Sequence, residues 1–263
     1  MTRATPLAVA AGCLLSAFAC LGASAQDPVP PRDGLAPQTA SSSARAGMFL
    51  PLTMGASTTS QRGFTRAFGG YDSARRSARA ESTTDATLIG PLAARVTIEY
   101  GERVGALRPG GGLRLQTLHQ DRHGVDMTVG AFYRAEGFTE AEGEFEGVFA
   151  FARHLDHWGL FANLVYGQDP EGNERDGEVR LATLYELGRM QLGVDSRTRF
   201  NLGHQGAKQN SKGEASMDTQ TGAMVTYAIG PVAFLAHAGF SGMQNHGNFR
   251  AGAVALAGLA GSI

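Results

Sequence analysis

The chain has 263 residues, with 23 Lys and Arg against 24 Asp and Glu and a formal net charge of −1. So even a balance excludes bulk attraction to nucleic acid or to an anionic surface. Its two cysteines, Cys13 and Cys20, stand near the N-terminus. A chain cleaved after Ala25 therefore holds no disulfide, and must draw its stability from a large core or a closed sheet.

Arg3, an apolar run from Leu7 to Leu21 and the small-x-small site Ala23-Ser24-Ala25 come first. They read as a secretory signal peptide over residues 1–25. The run is shorter than the ~20 residues of a spanning helix, which argues against an uncleaved anchor. Ala17-Phe18-Ala19 is a poor match to the tripeptide that precedes an acylated cysteine, so Cys20 is not read as a lipoprotein site. Beyond residue 25 no apolar run is long enough for a spanning helix, and any membrane contact falls to strands or to an amphipathic segment.

Residues 26–90 read as a linker and basic arm. Gln26 to Ala46, rich in Pro, Ser and Ala, has the composition of a flexible linker. Met48, Leu50, Leu52 and Met54 alternate like a strand, although Pro51 among them confines such a strand to an edge. Arg62, Arg66, Arg75, Arg76 and Arg79 then accumulate against few acids. Phe64, Phe68 and Tyr71 have the spacing of one helix face. Gly69-Gly70 opposes a helix, each glycine costing about 1 kcal/mol. A disordered or partly helical arm is expected here.

From residue 91 the pattern has period two. Ala94, Val96, Ile98 and Tyr100 alternate with Arg95, Thr97 and Glu99. Met127, Val129, Ala131 and Tyr133 alternate with Asp126, Thr128 and Arg134. Trp158, Leu160, Ala162, Leu164 and Tyr166 form one apolar face, and Val179, Leu181, Thr183, Tyr185 and Leu187 another. Met190, Leu192, Val194 and Phe200 continue the scheme, as do Met217 to Ile229 and Val232 to Phe240. Such alternation sends one set of side chains to each face of a sheet. We count about ten segments, with roughly eight to twelve as the range, each near the ~9–11 residues of a tilted membrane strand.

The connections alternate in length. Gly101 to Gly110, Asp169 to Gly177 and Gly203 to Ser216 are long; Asp121 to Gly124, Asp156-His157, Gly188-Arg189 and Gly230-Pro231 are tight. Outer-membrane barrels show long loops outside and short turns in the periplasm. Tyr100, Tyr133, Tyr166, Phe200 and Phe240 adjoin the long connections, whereas Trp158, Tyr185 and Tyr227 lie towards the tight turns, as two aromatic girdles would. A soluble secreted β-sandwich acting as a binding module is the alternative architecture, since aromatics flank its core too.

At these residues the chain resembles the small bacterial outer-membrane β-barrels, of which the OmpA-like and OmpX-like membrane domains are members. The resemblance covers about residues 91–263 and rests on pattern, without a short motif. It implies an all-β, antiparallel, up-and-down transmembrane barrel in the outer membrane, reached through the periplasm and surrounded by outer-membrane lipid. One departure is that the last strand, near Phe249 to Gly258, is rich in Ala and Gly, and the chain ends on Ile263 where such proteins commonly end on an aromatic residue.

The polar face then lines a lumen, with Arg95, Glu99, Arg114, Asp126, Arg134, Glu178, Arg180, Glu186, Asp195, Arg197 and Arg199. Charges in such an interior are expected to pair. The resulting functional reading is a structural or surface-exposed barrel, without catalysis or cofactor, whose lumen is closed by Arg–carboxylate pairs. A narrow solute pore is the alternative from the transport class. The basic arm could be unstructured, plug the lumen against its carboxylates, or touch anionic envelope material.

Other constellations carry less. Glu136, Glu140, Glu142, Glu144 and Glu146 read as a solvated loop and strand end ahead of a cation site. Asp169 to Arg180 fails as an EF-hand, with Glu174 at the glycine position and Arg180 at the twelfth. The seven histidines show no HExxH and no close Cys/His pairing. Gly110-Gly111-Gly112 lacks the Lys-Ser/Thr of a phosphate loop. An outer-membrane lipid hydrolase would need His204 with Ser211 or Ser216, a grouping resting on loop proximity alone.

Overall fold

A computed structural model describes residues 50–56, 63–101, 106–138, 142–171, 174–204, 216–245 and 248–262. Twelve antiparallel strands follow one another in sequence and in space. They are β1 (Gly63–Asp72), β2 (Ser77–Ile89), β3 (Leu92–Gly101), β4 (Ala106–Leu118), β5 (Asp126–Ala135) and β6 (Gly143–Leu155). The second half comprises β7 (Trp158–Gln168), β8 (Glu174–Leu187), β9 (Met190–His204), β10 (Met217–Ile229), β11 (Val232–Asn245) and β12 (Asn248–Ser262). The sheet closes where β1 pairs with β12, from Phe64 opposite Ser262 to Asp72 opposite Val254. Closure leaves no strand edge, the condition for a sheet to span lipid.

The two ends differ. At the tight-turn end, β2–β3, β6–β7, β8–β9 and β10–β11 are joined by two residues, and β4–β5 by a connection holding the short helix α1 (Gln120–His123). The first residue of each two-residue turn has positive φ: Gly90 51°, Asp156 51°, Gly188 61° and Gly230 60°. Pro91 and Pro231 follow two of them, and proline locks φ near −65°. Positive φ at the first position alone is the II′ geometry, whose twist suits a hairpin. The other end carries the remaining connections and is the loop end.

Several expectations are corrected. The barrel has twelve strands, where about ten were expected, and its sheet starts at Gly63, not at residue 91. The missing pair is β1 and β2, in the stretch expected to be a disordered or partly helical arm. The Phe64–Phe68 spacing fits alternate residues of a strand as well as a helix face, and Arg66, Phe68, Arg79, Glu81 and Asp85 point inward while Ala67, Gly69, Ala78, Ser82 and Thr84 point outward. Small residues on the outer face hide the apolar alternation. The strand count also sets the barrel apart from the small OmpA- and OmpX-like domains, because diameter grows with strand number and a twelve-stranded lumen has room for more than its own side chains. The last strand runs to Ser262, beyond the expected Gly258. Residues 1–25 and 26–46, read from the sequence as a signal peptide and a linker, lie outside the described residues.

Candidate functional site: a charged vestibule above an inserted segment

Residues 50–56, expected as an edge strand, form no strand at all and lie across the inside of the barrel. Their backbone is tied to the wall from several sides. The Leu52 amide and the Thr53 hydroxyl donate to the Asp195 carboxylate of β9 at 2.7 and 2.5 Å. The Met54 amide donates to Asn163 of β7 at 2.6 Å, and the Asn163 amide returns a bond to the Met54 carbonyl at 2.9 Å. Arg66 donates to the carbonyls of Leu50 and Thr53, Arg114 to that of Gly55 and Thr128 to that of Ala56. Pro51 donates no backbone hydrogen bond, so it fits a segment held by side chains better than it fits a ladder.

The side chains of the segment are apolar, and so is much of the wall around them. Leu50, Leu52 and Met54 are at most 3% exposed and pack with Phe68, Val148, Ala150, Phe161, Val165, Leu184, Met224, Leu235, Val254 and Leu256. Nine of these wall residues after Phe68 come from β6, β7, β8, β10, β11 and β12, each from an inward position. The expected closure by Arg–carboxylate pairs is thereby corrected. Ion pairs are present, but what fills this cross-section is residues 50–56 and an apolar wall. Arg–carboxylate pairs alone could not fill a twelve-stranded interior.

On the loop side of the segment is a cavity of about 510 Å³, floored by Pro51, Leu52 and Met54. Its wall is dense in guanidinium and carboxylate groups. On β1 and β2, Arg66 and Arg79 face Glu81 at 3.3 and 3.8 Å. Arg95 and Arg114 meet on Asp85 at 2.6 and 2.9 Å, and Arg180 and Arg197 meet on Glu178. Nearer the loops, Arg134 serves Glu144 at 2.6 Å, Glu146 at 3.0 Å and Glu99 at 3.3 Å. Arg199 binds Asp176, and Arg75 reaches from the β1–β2 turn to Asp218 on β10. Asp72 accepts bonds from Gln220 and Ser241, which ties β1 to β10 and β11. Arg75 lies outside the strands. Its guanidinium is pushed below its ordinary value by burial first, then by the like charges of Arg197 and Arg79, with Asp72 opposing.

All eleven charges singled out from the sequence point inward, but they do not form one set. Arg95, Glu99, Arg134, Arg180, Arg197 and Arg199 line the cavity, and Glu178 lies just behind it in the same network. Arg114 and Asp195 bind the inserted segment. Asp126 accepts from Gln116 and the Gln120 amide, and Glu186 accepts from Gln191, both towards the tight-turn end. Sequence reasoning missed Arg66, Asp72, Arg79, Glu81 and Asp85, because β1 and β2 were not recognised as wall. Recurrence at every second residue, of Arg66 with Phe68 and of Arg79 with Glu81 and Asp85, is the signal that would have found them.

The eight aromatic residues assigned to the two girdles face outward. Trp158, Tyr166, Phe200, Tyr227 and Phe240 are exposed, and Tyr100, Tyr133 and Tyr185 half-buried. Trp158 stands opposite Tyr185 with ring centroids 4.9 Å apart. β9 and β11 run on beyond Phe200 and Phe240 to His204 and Asn245, so these two rings lie inside the strand ends. Of the acidic cluster, Glu140 is outside the described residues, while Glu144 and Glu146 belong to the Arg134 network. Ser211, needed for the hydrolase grouping, also lies outside the described residues, and the Ser216 hydroxyl is engaged by the Gln244 carbonyl.

No protein-family model matches the sequence, and neither does any curated protein. Among solved structures, the chain is similar to the NanC porin, with a TM-score of 0.56 at 7% identity over 76% of this chain and 99% of that one. It is similar also to an outer membrane channel from Pseudomonas putida F1, with a TM-score of 0.56 at 9% identity over 88% of this chain and all of the other. At such identity the likeness is one of fold, and the fold is that of the outer-membrane β-barrels.

Proposed function

We propose that the protein is an outer-membrane channel for small polar solutes whose lumen is occluded by its own residues 50–56. One observation carries the reading: a charged cavity opens towards the loops, and its floor is a segment that belongs to no strand of the wall. The outward apolar side chains and aromatic rings support a place in lipid, with the tight-turn end in the periplasm. The reading includes no catalytic step. The two solved structures of like fold bear the names porin and channel, which agrees with it.

The energetics favour a removable plug. Burying three large apolar side chains contributes roughly 5–9 kcal/mol. Ordering seven residues costs roughly 7–14 kcal/mol. The balance therefore falls to the hydrogen bonds from the wall, each worth about 0.5–1.5 kcal/mol net. A second reading, a permanently closed structural barrel, draws on the apolar packing of Leu50, Leu52 and Met54.

Planar-bilayer recordings decide between them. Deleting residues 26–56 leaves all twelve strands, and the plugged-channel reading expects discrete conductance steps well above those of the intact protein. Equal and negligible conductance for both forms would favour the closed structural barrel.

A further inference from the structure

The ion pairs in the lumen are not balanced tier by tier. Near the plug five guanidiniums, those of Arg66, Arg95, Arg114, Arg180 and Arg197, face three carboxylates: Arg95 and Arg114 share Asp85, Arg180 and Arg197 share Glu178, and Asp195 is tied to the plug. At the rim the ratio inverts: Arg134 is shared by Glu99, Glu144 and Glu146, Arg75 lies between Asp72 and Asp218, and Arg199 and Arg79 are matched by Asp176 and Glu81, which leaves seven carboxylates to four guanidiniums. A cationic surplus thus lies beneath an anionic one. Low-dielectric walls focus such a field along the cavity. A simple anion is repelled at the rim and a simple cation at the floor. A solute carrying both charges, negative end inward, is favoured at each.

Arg66 is where this field meets the plug. One of its terminal nitrogens donates to the carbonyls of Leu50 and Thr53. The other makes a long bond of 3.3 Å to Glu81. Its Nε, in a side chain that is 6% exposed and lines the cavity, has no acceptor among the described residues. A carboxylate binds arginine through two parallel N–H donors on one edge of the fork. That edge of Arg66 is half empty.

We propose that the vestibule binds a small zwitterion, with its carboxylate on Arg66 and its ammonium at Glu99, Glu144 and Glu146, and that turning Arg66 towards this carboxylate unlatches residues 50–53. The proposal rests on the plugged-channel reading. Arg114, held on the opposite side by Asp85 and the Gly55 carbonyl, stays in place, so the plug loosens first at its Leu50 end.

Cysteine labelling tests it. The full chain carries Cys13→Ser, Cys20→Ser and Leu50→Cys, the last at the buried end that Arg66 latches, is refolded in detergent, and is treated with a charged maleimide. Adding 4-aminobutyrate is expected to speed labelling roughly tenfold, the change that follows from losing about 1.4 kcal/mol of latching. Butyrate should act weakly and butylammonium not at all. Arg66→Gln should label fast without any solute and respond to none. Butylammonium matching the amino acid overturns the orientation, and butyrate matching it overturns the zwitterion.

No response to any of the three solutes, in a protein whose conductance still rises on deleting residues 26–56, overturns the coupling and leaves the channel reading intact. A deletion without effect on conductance overturns the channel reading itself. Should Leu50→Cys prevent folding, seen as loss of heat-modifiable mobility, Pro51→Cys at the cavity floor gives the same readout.

Discussion

The two halves of the lumen are built from opposite chemistry. Towards the loops the inward positions hold guanidinium and carboxylate groups, such as Arg134, Glu144, Asp176 and Arg199. Towards the tight turns many of them hold Phe161, Leu184, Leu235 and Leu256. The first half is stable against water. The second is not, since an apolar lumen wall gains only when something apolar covers it. Leu50, Leu52 and Met54 are that cover. The apolar half of the wall therefore fits an occupant, and residues 50–56 supply it.

Neighbouring positions on β9 break this comparison most sharply. Val194 faces outward and is 46% exposed, and Gly193 faces the apolar half of the lumen. A Cβ at Gly193 would stand 2.1 Å from the Thr183 carbonyl oxygen and 2.7 Å from a Leu184 methyl. Gly193→Arg is thus expected to prevent barrel closure altogether, with no heat-modifiable band. The inward site is the harsher one, because this part of the lumen is apolar and already filled. Val194→Arg should fold with a loss of about 2–4 kcal/mol in urea titrations in lipid, the cost of arginine at the bilayer midplane. Two equally tolerant sites would contradict the facing.

Next in size is the tie between Asp195 and the plug. This carboxylate is fully buried, has no cation bound to it among the described residues, and accepts from Leu52 and Thr53. Asp195→Ala removes both bonds and leaves a buried amide without a partner, a loss of about 1–3 kcal/mol. The expected outcome is more frequent channel opening and faster proteolysis near residue 50, with the melting of the barrel little changed. Asp195→Asn keeps an acceptor oxygen of the same shape, and should open less often than the alanine variant.

What the sequence disclosed follows from the same contrast. Strands β3 to β10 carry bulky apolar residues outward, and all of them but β7 carry charged or titratable residues inward, as with Val179, Leu181 and Tyr185 against Glu178, Arg180 and Glu186, so their alternation is legible. In β1 and β2 the outward residues are Ala67, Gly69, Ala78, Ser82 and Thr84, which offer no apolar signal, and the inward arginines read as a basic arm. The plug was visible as alternating Leu50, Leu52 and Met54. Nothing in the sequence tells an edge strand from a segment enclosed by a barrel, because its partners Asp195, Asn163 and Arg114 lie far along the chain. The inward charges were identifiable one by one. Their sharing was not, since Arg66 with Glu81 depends on the register of β1 against β2.

The smallest effect concerns the outer face near the loops, where β9 and β10 set hydroxyls between apolar neighbours. Thr198 stands opposite Thr219 with oxygens 3.0 Å apart, and Ser196 opposite Thr221 at 2.7 Å. Arg197 and Arg199 point inward, so alternation turns Thr198 outward. If this patch meets lipid, Thr198→Val leaves the Thr219 hydroxyl without its partner and costs about 0.5–1.5 kcal/mol. Changing both to Val removes the polar pair and should restore stability to the starting value, since valine suits a strand facing an apolar phase. If it meets water, the single change costs nothing. Urea titration of the two variants thus locates the membrane boundary relative to Phe200 and Phe240, and shows how far β9 and β11 stand above it.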